Sequence, residues 1–159
     1  MSDLIDQYEN GIRSLQAAVS GLSREQMDWA PPKDAGVGLW TIHQILIHLQ
    51  DAESALADRI RRVIAEENPT LQAWNETKFV ERLHYEAQLA EDAIQLITLI
   101  RRQLTSVLRK VCAADLQRVG QHSQAGRQTA AEIVGKAVSH LEHHIKFIHA
   151  KRAKMEEKK

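Results

Sequence analysis

Four of the chain's eight histidines fall within the fifteen residues "VSHLEHHIKFIHAKR", Val138 to Arg152. Histidine at that density either ligates a transition metal or decorates a wet helix face, and its angular placement separates the two. An α-helix turns about 100° per residue, so His144 lies about 40° from His140, and Ala137, Leu141, Val134, Ile145 and Ile148 fill an arc from roughly 60° to 140° beside them. The pair therefore sits on a shoulder between core and solvent. His149 (near 180°) and His143 (near 300°) do not share it, although His143, three residues from His140, is a rival partner.

His48 has the same placement on an earlier helix. Taken as zero, it has Ile45, Leu49, Ala52, Leu56 and Val63 between about 40° and 100°, whereas His43 falls at roughly 220°, on the outer face. Neutral imidazoles on two such shoulders can hold a divalent metal with one side open, as catalytic sites do. The same pattern also fits an ordinary helical bundle with water-satisfied polar boundary positions, and the residues alone leave both readings open.

Other groups could serve such a site. Asp51 is one turn beyond His48 and could orient a ligand imidazole; pairing along its own helix is the alternative. Glu53 points at about 140°, towards the apolar side, where a carboxylate needs a partner or a polar pocket, so it is a candidate general acid or base. His122 precedes the last helix and could line a pocket mouth, and His84 stands beside Tyr85 with similar standing. Trp29, Trp40 and Trp74 read as core or staple residues. The arginines of "RIRRVIAEE" read as a solvated face, with an anion site as the alternative. Cys112, the one cysteine, reads as a buried structural thiol and excludes an internal disulfide, which fits a reducing cytoplasm.

Four long helical patterns must position these groups. The first runs from Leu4 through Tyr8, Ile12, Leu15 and Val19 to Leu22. Ser23 and Gln26 then form a capping box for a short turn closed by "APP". The second long helix starts at the capping box Thr41/Gln44, with Trp40 and Ile45 as a hydrophobic staple, and follows Ile42, Ile45, Leu49, Ala52, Leu56, Ile60 and Val63 to the stop "ENPT". The third follows Ala93, Leu96, Ile97, Ile100, Leu104, Val107, Leu108 and Val111. The fourth opens at Thr129/Glu132 and follows Ile133, Val134, Ala137, Leu141, Ile145 and Ile148. No strand-like alternation is visible, so the fold class is all-α, a four-helix bundle. The connection from Asn68 to Tyr85 is too long for a simple antiparallel hairpin, and the one from Ala113 to Gln128 is also long.

The 159 residues suit one domain spanning 1–159, with a charged, frayed tail over about 153–159. The formal net charge of zero gives no reason to expect nucleic acid or an anionic membrane as partner. The opening "MSDLIDQYEN" lacks a signal peptide's basic start and apolar run, and no apolar stretch reaches membrane-spanning length.

Two segments together, "WTIHQILIHLQDAE" (Trp40 to Glu53) and "HLEHHIKFI" (His140 to Ile148), resemble the DinB-like superfamily. The chain looks most similar to the branch holding the YfiT-type metal-dependent enzymes and the bacillithiol S-transferases. "EENPTLQAWNETKF" and "GQHSQAGRQT" are similar to that branch's connecting loops, so the resemblance covers nearly the whole chain. It implies an up-down-down-up bundle with the second and fourth long helices antiparallel. It also implies a metal triad at His48, His140 and His144, with His143 a neighbour, and a homodimer. Zinc or nickel suits three imidazoles best, and manganese occurs in relatives. The implied function is a metal-dependent hydrolase or a transferase of a low-molecular-weight thiol to an electrophile. The alternatives are a non-catalytic metal-binding or stress-response protein and a dimeric interaction bundle without metal.

Overall fold

The structure is a computed structural model, and it describes residues 2–157. Its long helices are α1 (Ser2–Val19), α3 (Ile42–Ala65), α5 (Ala90–Leu108) and α7 (Ala130–Glu156); the short ones are α2 (Arg24–Met27), α4 (Glu76–Arg82) and α6 (Ala113–Leu116). The helix starts follow their capping residues. Thr41 Oγ1 accepts from the Gln44 amide while Gln44 Oε1 accepts from the Thr41 amide, both at 3.0 Å. Ser23 with Gln26 and Thr129 with Glu132 close the same reciprocal box. Helix α3 ends just before Asn68, which adopts φ 47°, and Pro69, which cannot continue a helix.

The buried side chains show the course of the bundle. One apolar cluster joins Ile5 and Tyr8 of α1, Ile60 and Val63 of α3, Leu104 and Leu108 of α5, and Ile133 and Val134 of α7. A second joins Leu15 and Ala18, Ile42 and Ile45, Ala90 and Ile97, and Ile145 and Ile148. The first residues of α1 and α7 thus lie level with the last residues of α3 and α5. This is an up-down-down-up four-helix bundle in which α3 runs parallel to α5 and antiparallel to α7.

Running α3 and α5 parallel obliges the chain to travel back along the bundle between them. That crossover is pinned at its start by a small three-stranded sheet absent from the sequence reading: β1 (Thr70–Leu71), β2 (Val119–His122) and β3 (Gly126–Thr129). Strand β1 pairs parallel to β2, and β2 pairs antiparallel to β3, which leads directly into α7. The strands are too short to show an alternating pattern. Gly120 is required there, because a Cβ would come within 2.9 Å of both Leu71 and Val63 side chains.

A single side chain ties all four long helices. Arg101 of α5 is fully buried. It donates from Nε and Nη2 to Glu53 Oε2 of α3 (3.0 and 2.8 Å), from Nη1 to the Tyr8 carbonyl of α1 (2.8 Å), and from Nη2 to the Ala137 carbonyl of α7 (2.9 Å). The Tyr8 hydroxyl donates to the other oxygen of Glu53. The guanidinium lies 4.4 Å from the centre of the Tyr8 ring. Gly11 makes room for it, since a Cβ there would stand 2.5 Å from Arg101 Nη1.

Several side chains lie elsewhere than periodicity places them. Leu96 and Val107 are exposed on the outside of α5. Cys112 is exposed, not buried: it is the N-cap residue of α6, and its amide donates to Asp115. Of the "RIRR" arginines, Arg59 and Arg62 reach the crossover by donating to the carbonyls of Gln72 and Thr70, so only part of that face is simply solvated. His43, placed on the outer face by the wheel, is buried, because the 3₁₀ turn Tyr85–Ala87 covers it and its Nε2 pairs with the Tyr85 carbonyl at 3.0 Å. Helix α7 continues through Glu156, into the segment expected to fray; Lys158 and Lys159 lie outside the described residues.

The Arg101 cluster makes a direct prediction. Arg101→Met leaves the buried Glu53 carboxylate without its counter-charge, held by the Tyr8 hydroxyl alone, and is expected to cost about 3–5 kcal/mol, lowering the melting temperature by roughly 10 °C. Arg102→Met, next door and exposed, should change stability by no more than about 0.5 kcal/mol. Equal losses in the two variants, measured by denaturant unfolding, would remove Arg101 from this role.

Candidate metal centre

His48 stands seven residues past the cap of α3, and His140 and His144 occupy successive turns of antiparallel α7. The bundle brings the three rings to one level. His48 Nε2 lies 3.1 Å from His140 Nε2, and His144 Nε2 lies 3.2 Å from it. One ring nitrogen from each residue fits within 4.8 Å of the other two, and this is the group of metal-ligating side chains found among the described residues.

Three neutral imidazoles pointing their Nε2 atoms at a common point form a poor hydrogen-bonded cluster. A ring nitrogen carries either a proton or a lone pair, so at least one close pair is left without a proper bond. The same arrangement is a good donor set for a divalent transition ion. By this test the residues fit a metal. Aromatic packing supports the rings: Trp40 lies 4.9 Å from His48 and stacks on His144 at 6.4 Å, and Trp74 stacks on His48 at 5.7 Å. The Nδ1 atoms of His48 and His144 are buried without a partner among the described residues, so packing, rather than outer hydrogen bonds, orients these two rings.

Burial also sets the protonation state. It pushes the His48 imidazole down to about 4, assisted by the neighbouring His140. Burial likewise brings His144 down to about 3, with His140, His48, His143 and Lys151 adding to the effect. His140 moves down for the same first reason, with His143 and Arg101 contributing. All three are therefore neutral near pH 7, the form that binds a cation.

Two clefts adjoin the triad. The larger, about 580 Å³, lies against His140 and is lined by Ala52, Leu56, Trp74, Glu76, Lys136 and His143, among others. The smaller, about 320 Å³, lies against His144 between Trp40, Phe147 and the Val37–Leu39 segment. There Lys151, a buried lysine, donates to the carbonyls of Val37 and Gly38.

The remaining candidates are distributed as follows. Asp51 Oδ2 accepts from the Tyr85 hydroxyl at 2.5 Å, which anchors the 3₁₀ turn to α3. Glu53 is held by Tyr8 and Arg101, the partnering that a carboxylate at its angle requires. His143 lines the larger cleft and lies edge-on to His144 at 5.4 Å. His122 Nδ1 accepts from the amides of Gln124 and Ala125 and so closes the β2–β3 turn. His84 is exposed at φ 49° and faces Glu86 at 3.4 Å. Trp74 joins the site rather than the core. Glu76 was not singled out in the sequence; its Oε2 lies 3.9 Å from His48 Nε2. The signal available for it was Asn75, which caps α4 through the Lys78 amide and so fixes where the next side chain emerges.

Known proteins resemble this chain in sequence and in fold. A provisionally named metal-dependent hydrolase of Oceanobacillus iheyensis is 27% identical over 148 residues, covering 93% of this chain and 83% of its own. A similarly named protein of Bacillus mycoides is 26% identical over 151 residues, covering 95% and 84%. Among solved structures, YfiT from Bacillus subtilis, described as a probable metal-dependent hydrolase with an unusual four-helix bundle topology, superposes with a TM-score of 0.87. The two are 22% identical, and the match covers 97% of this chain and 86% of YfiT. The sequence profile of the DinB superfamily matches residues 7–148, from α1 to Ile148 in α7, and the chain belongs to that superfamily.

Proposed function

We propose that the protein is a metal-dependent hydrolase of a small molecule, with His48, His140 and His144 as the metal ligands. The observation that carries this reading is the convergence of three neutral Nε2 donors beside an open cleft. The names of the relatives support hydrolysis over the other chemistries. Three imidazoles favour zinc or nickel and disfavour magnesium or calcium. When bound, such an ion polarises a substrate oxygen and makes water acidic enough to attack near neutral pH.

The chain's own residues do the rest. Ala52, Leu56 and the Trp74 ring offer an apolar wall for the body of a substrate, and Lys136, Ser139 and His143 offer polar contacts along α7. No protein nucleophile is called for: exposed Cys112 follows α5, at the opposite end of the bundle from the first turns of α3. Thiol transfer, the second chemistry implied by the resemblance, would use the same triad. It is separated from hydrolysis by assaying the metal-loaded protein with activated esters and amides alongside thiol–electrophile pairs. Among the described residues no helix is long and apolar enough to cross a membrane; a cytoplasmic location belongs to the same proposed reading. A homodimer belongs to the reading as well, and Leu96, Leu99 and Val107, exposed along α5, are side chains that a second copy would cover.

Metal analysis of untagged protein is expected to find one zinc or nickel ion per chain. His48→Ala and His140→Ala should each abolish stoichiometric binding, and His143→Ala should keep it. A His143→Ala protein that loses its metal, or a wild type that takes up none after reconstitution, contradicts the assignment.

The metal-free protein should also show a defined dependence on acid. Its site imidazoles titrate lower folded than unfolded, where the usual value is about 6.5. Above that value neither state binds the protons. Between about 6.5 and the folded value of about 4 for His48, the unfolded chain gains protons that the folded protein refuses, so stability falls as the pH falls. Melting temperatures measured from pH 7 to 4.5 should decline less steeply in His48→Ala than in the wild type. Parallel curves would count against neutral buried imidazoles.

A further inference from the structure

The carboxylates that sequence position suggests for this site both have other partners. Glu53 serves Arg101, and Asp51 serves Tyr85. Glu76, in the first turn of α4, is placed differently. Of the three site histidines, only His48 has a carboxylate oxygen within 4.0 Å among the described residues, and that oxygen is Glu76 Oε2, at 3.9 Å from Nε2. The same Nε2 faces His140. Glu76 also lines the larger cleft together with His140, so it stands on the open side of the triad. Its side chain is 61% exposed and therefore free of the interior contacts that hold Glu53.

A gap of 3.9 Å is too long for a direct hydrogen bond, so Glu76 Oε2 is not committed to His48 and is free to accept from a group standing on the open side of the triad. The position of Glu76 is not left to a floppy loop. Two residues earlier, Trp74 stacks on His48 and packs edge-on against Phe79 at 4.8 Å. One residue earlier, Asn75 caps α4. The aromatic contact that covers His48 thus also delivers the carboxylate.

We propose that Glu76 holds the attacking water on the open side of the histidine cluster and accepts its proton. In the hydrolytic step the water oxygen bonds to the electrophilic carbon or phosphorus of the substrate, and one O–H bond breaks, passing its proton to Glu76 Oε2. The scissile bond then breaks and its electron pair leaves with the departing group, which receives that same proton, so Glu76 is restored. This role rests on the metal-dependent reading above.

The experiment uses full-length protein loaded with cobalt, whose visible spectrum reports the site, and acetohydroxamic acid as the probe, because it gives up its hydroxyl proton on binding an open metal position. Glu76→Gln should still take up one cobalt and should bind acetohydroxamate about 10–100-fold more weakly, the worth of one hydrogen bond to a charged group. Glu76→Asp should recover part of the loss. Glu91→Gln, an exposed acid in the first turn of α5, should match the wild type. Unchanged hydroxamate affinity in Glu76→Gln overturns the proposal, as does a cobalt-loaded wild type that gives no response to the probe. Failure of the wild type to take up cobalt instead overturns the metal reading itself, and is seen before any variant is compared.

Discussion

The buried guanidinium of Arg101 is the constraint on which the rest of the molecule depends. Apolar packing between helices is non-directional and tolerates small slips along the axis. Hydrogen bonds from one rigid fork to Glu53, to the Tyr8 carbonyl and to the Ala137 carbonyl do not. They fix the heights of α1, α3 and α7 relative to α5. Glu53 lies five residues beyond His48, and Ala137 three residues before His140, distances of about 7.5 and 4.5 Å along the respective helices. The knot that sets the helix register is therefore close to the triad. A slip of one residue would shift His48 against His140 and His144 by about 1.5 Å, far more than the roughly 0.2 Å that metal–nitrogen distances tolerate. A buried ion pair is a weak source of net stability; its value here is registration.

That same need for registration explains what the sequence reveals and what it hides. The long helices, their capping boxes and the shoulder placement of His48, His140 and His144 follow from local spacing, because 3.6-residue periodicity and cap geometry are local properties. Arg101 could not be found that way. Its partners are 48, 93 and 36 residues distant, and on a wheel it is a charged residue among apolar ones. His43 fails for a related reason: a wheel knows one helix, whereas the 3₁₀ turn that buries His43 arrives from elsewhere in the chain. The three-stranded sheet has too few residues to show a period. The place of Glu76 beside His48 is hidden because it depends on where a crossover passes, which no single element encodes.

Burial and packing also give the site its chemical character. An imidazole half in water would spend part of its time protonated near neutral pH, and three of them converging would repel one another. Placing His48 fully inside the bundle, with His144 against the Trp40 ring, removes that competition, since the charged form loses more solvation than the neutral one. The cost is that neutral rings held together have no good mutual hydrogen-bond arrangement, and an unsatisfied nitrogen in a buried place is unfavourable. A cation relieves this directly. The features that make the cluster awkward as a piece of packing are the ones that suit it to holding a cation.

The parallel arrangement of α3 and α5 completes the site. Two helices joined by a short turn must run antiparallel, and such a turn would leave the open face of the triad bare. Here the chain leaves α3 at Ala65 and reaches α5 only at Ala90, on the far end of the bundle. On the way it is pinned by Arg59, Arg62 and the β1–β2 pairing. It then passes Trp74 over His48, presents Glu76 to the cleft, and covers His43 with Tyr85. The three histidines thus stand on helices, where rotamers are held by packing, while Trp74 and Glu76, beside the cleft, stand on a connection that is itself anchored in the core through Leu71 and Tyr85. In this architecture the heights of the three histidines are set by the bundle, and the surroundings of their open side are set by the crossover.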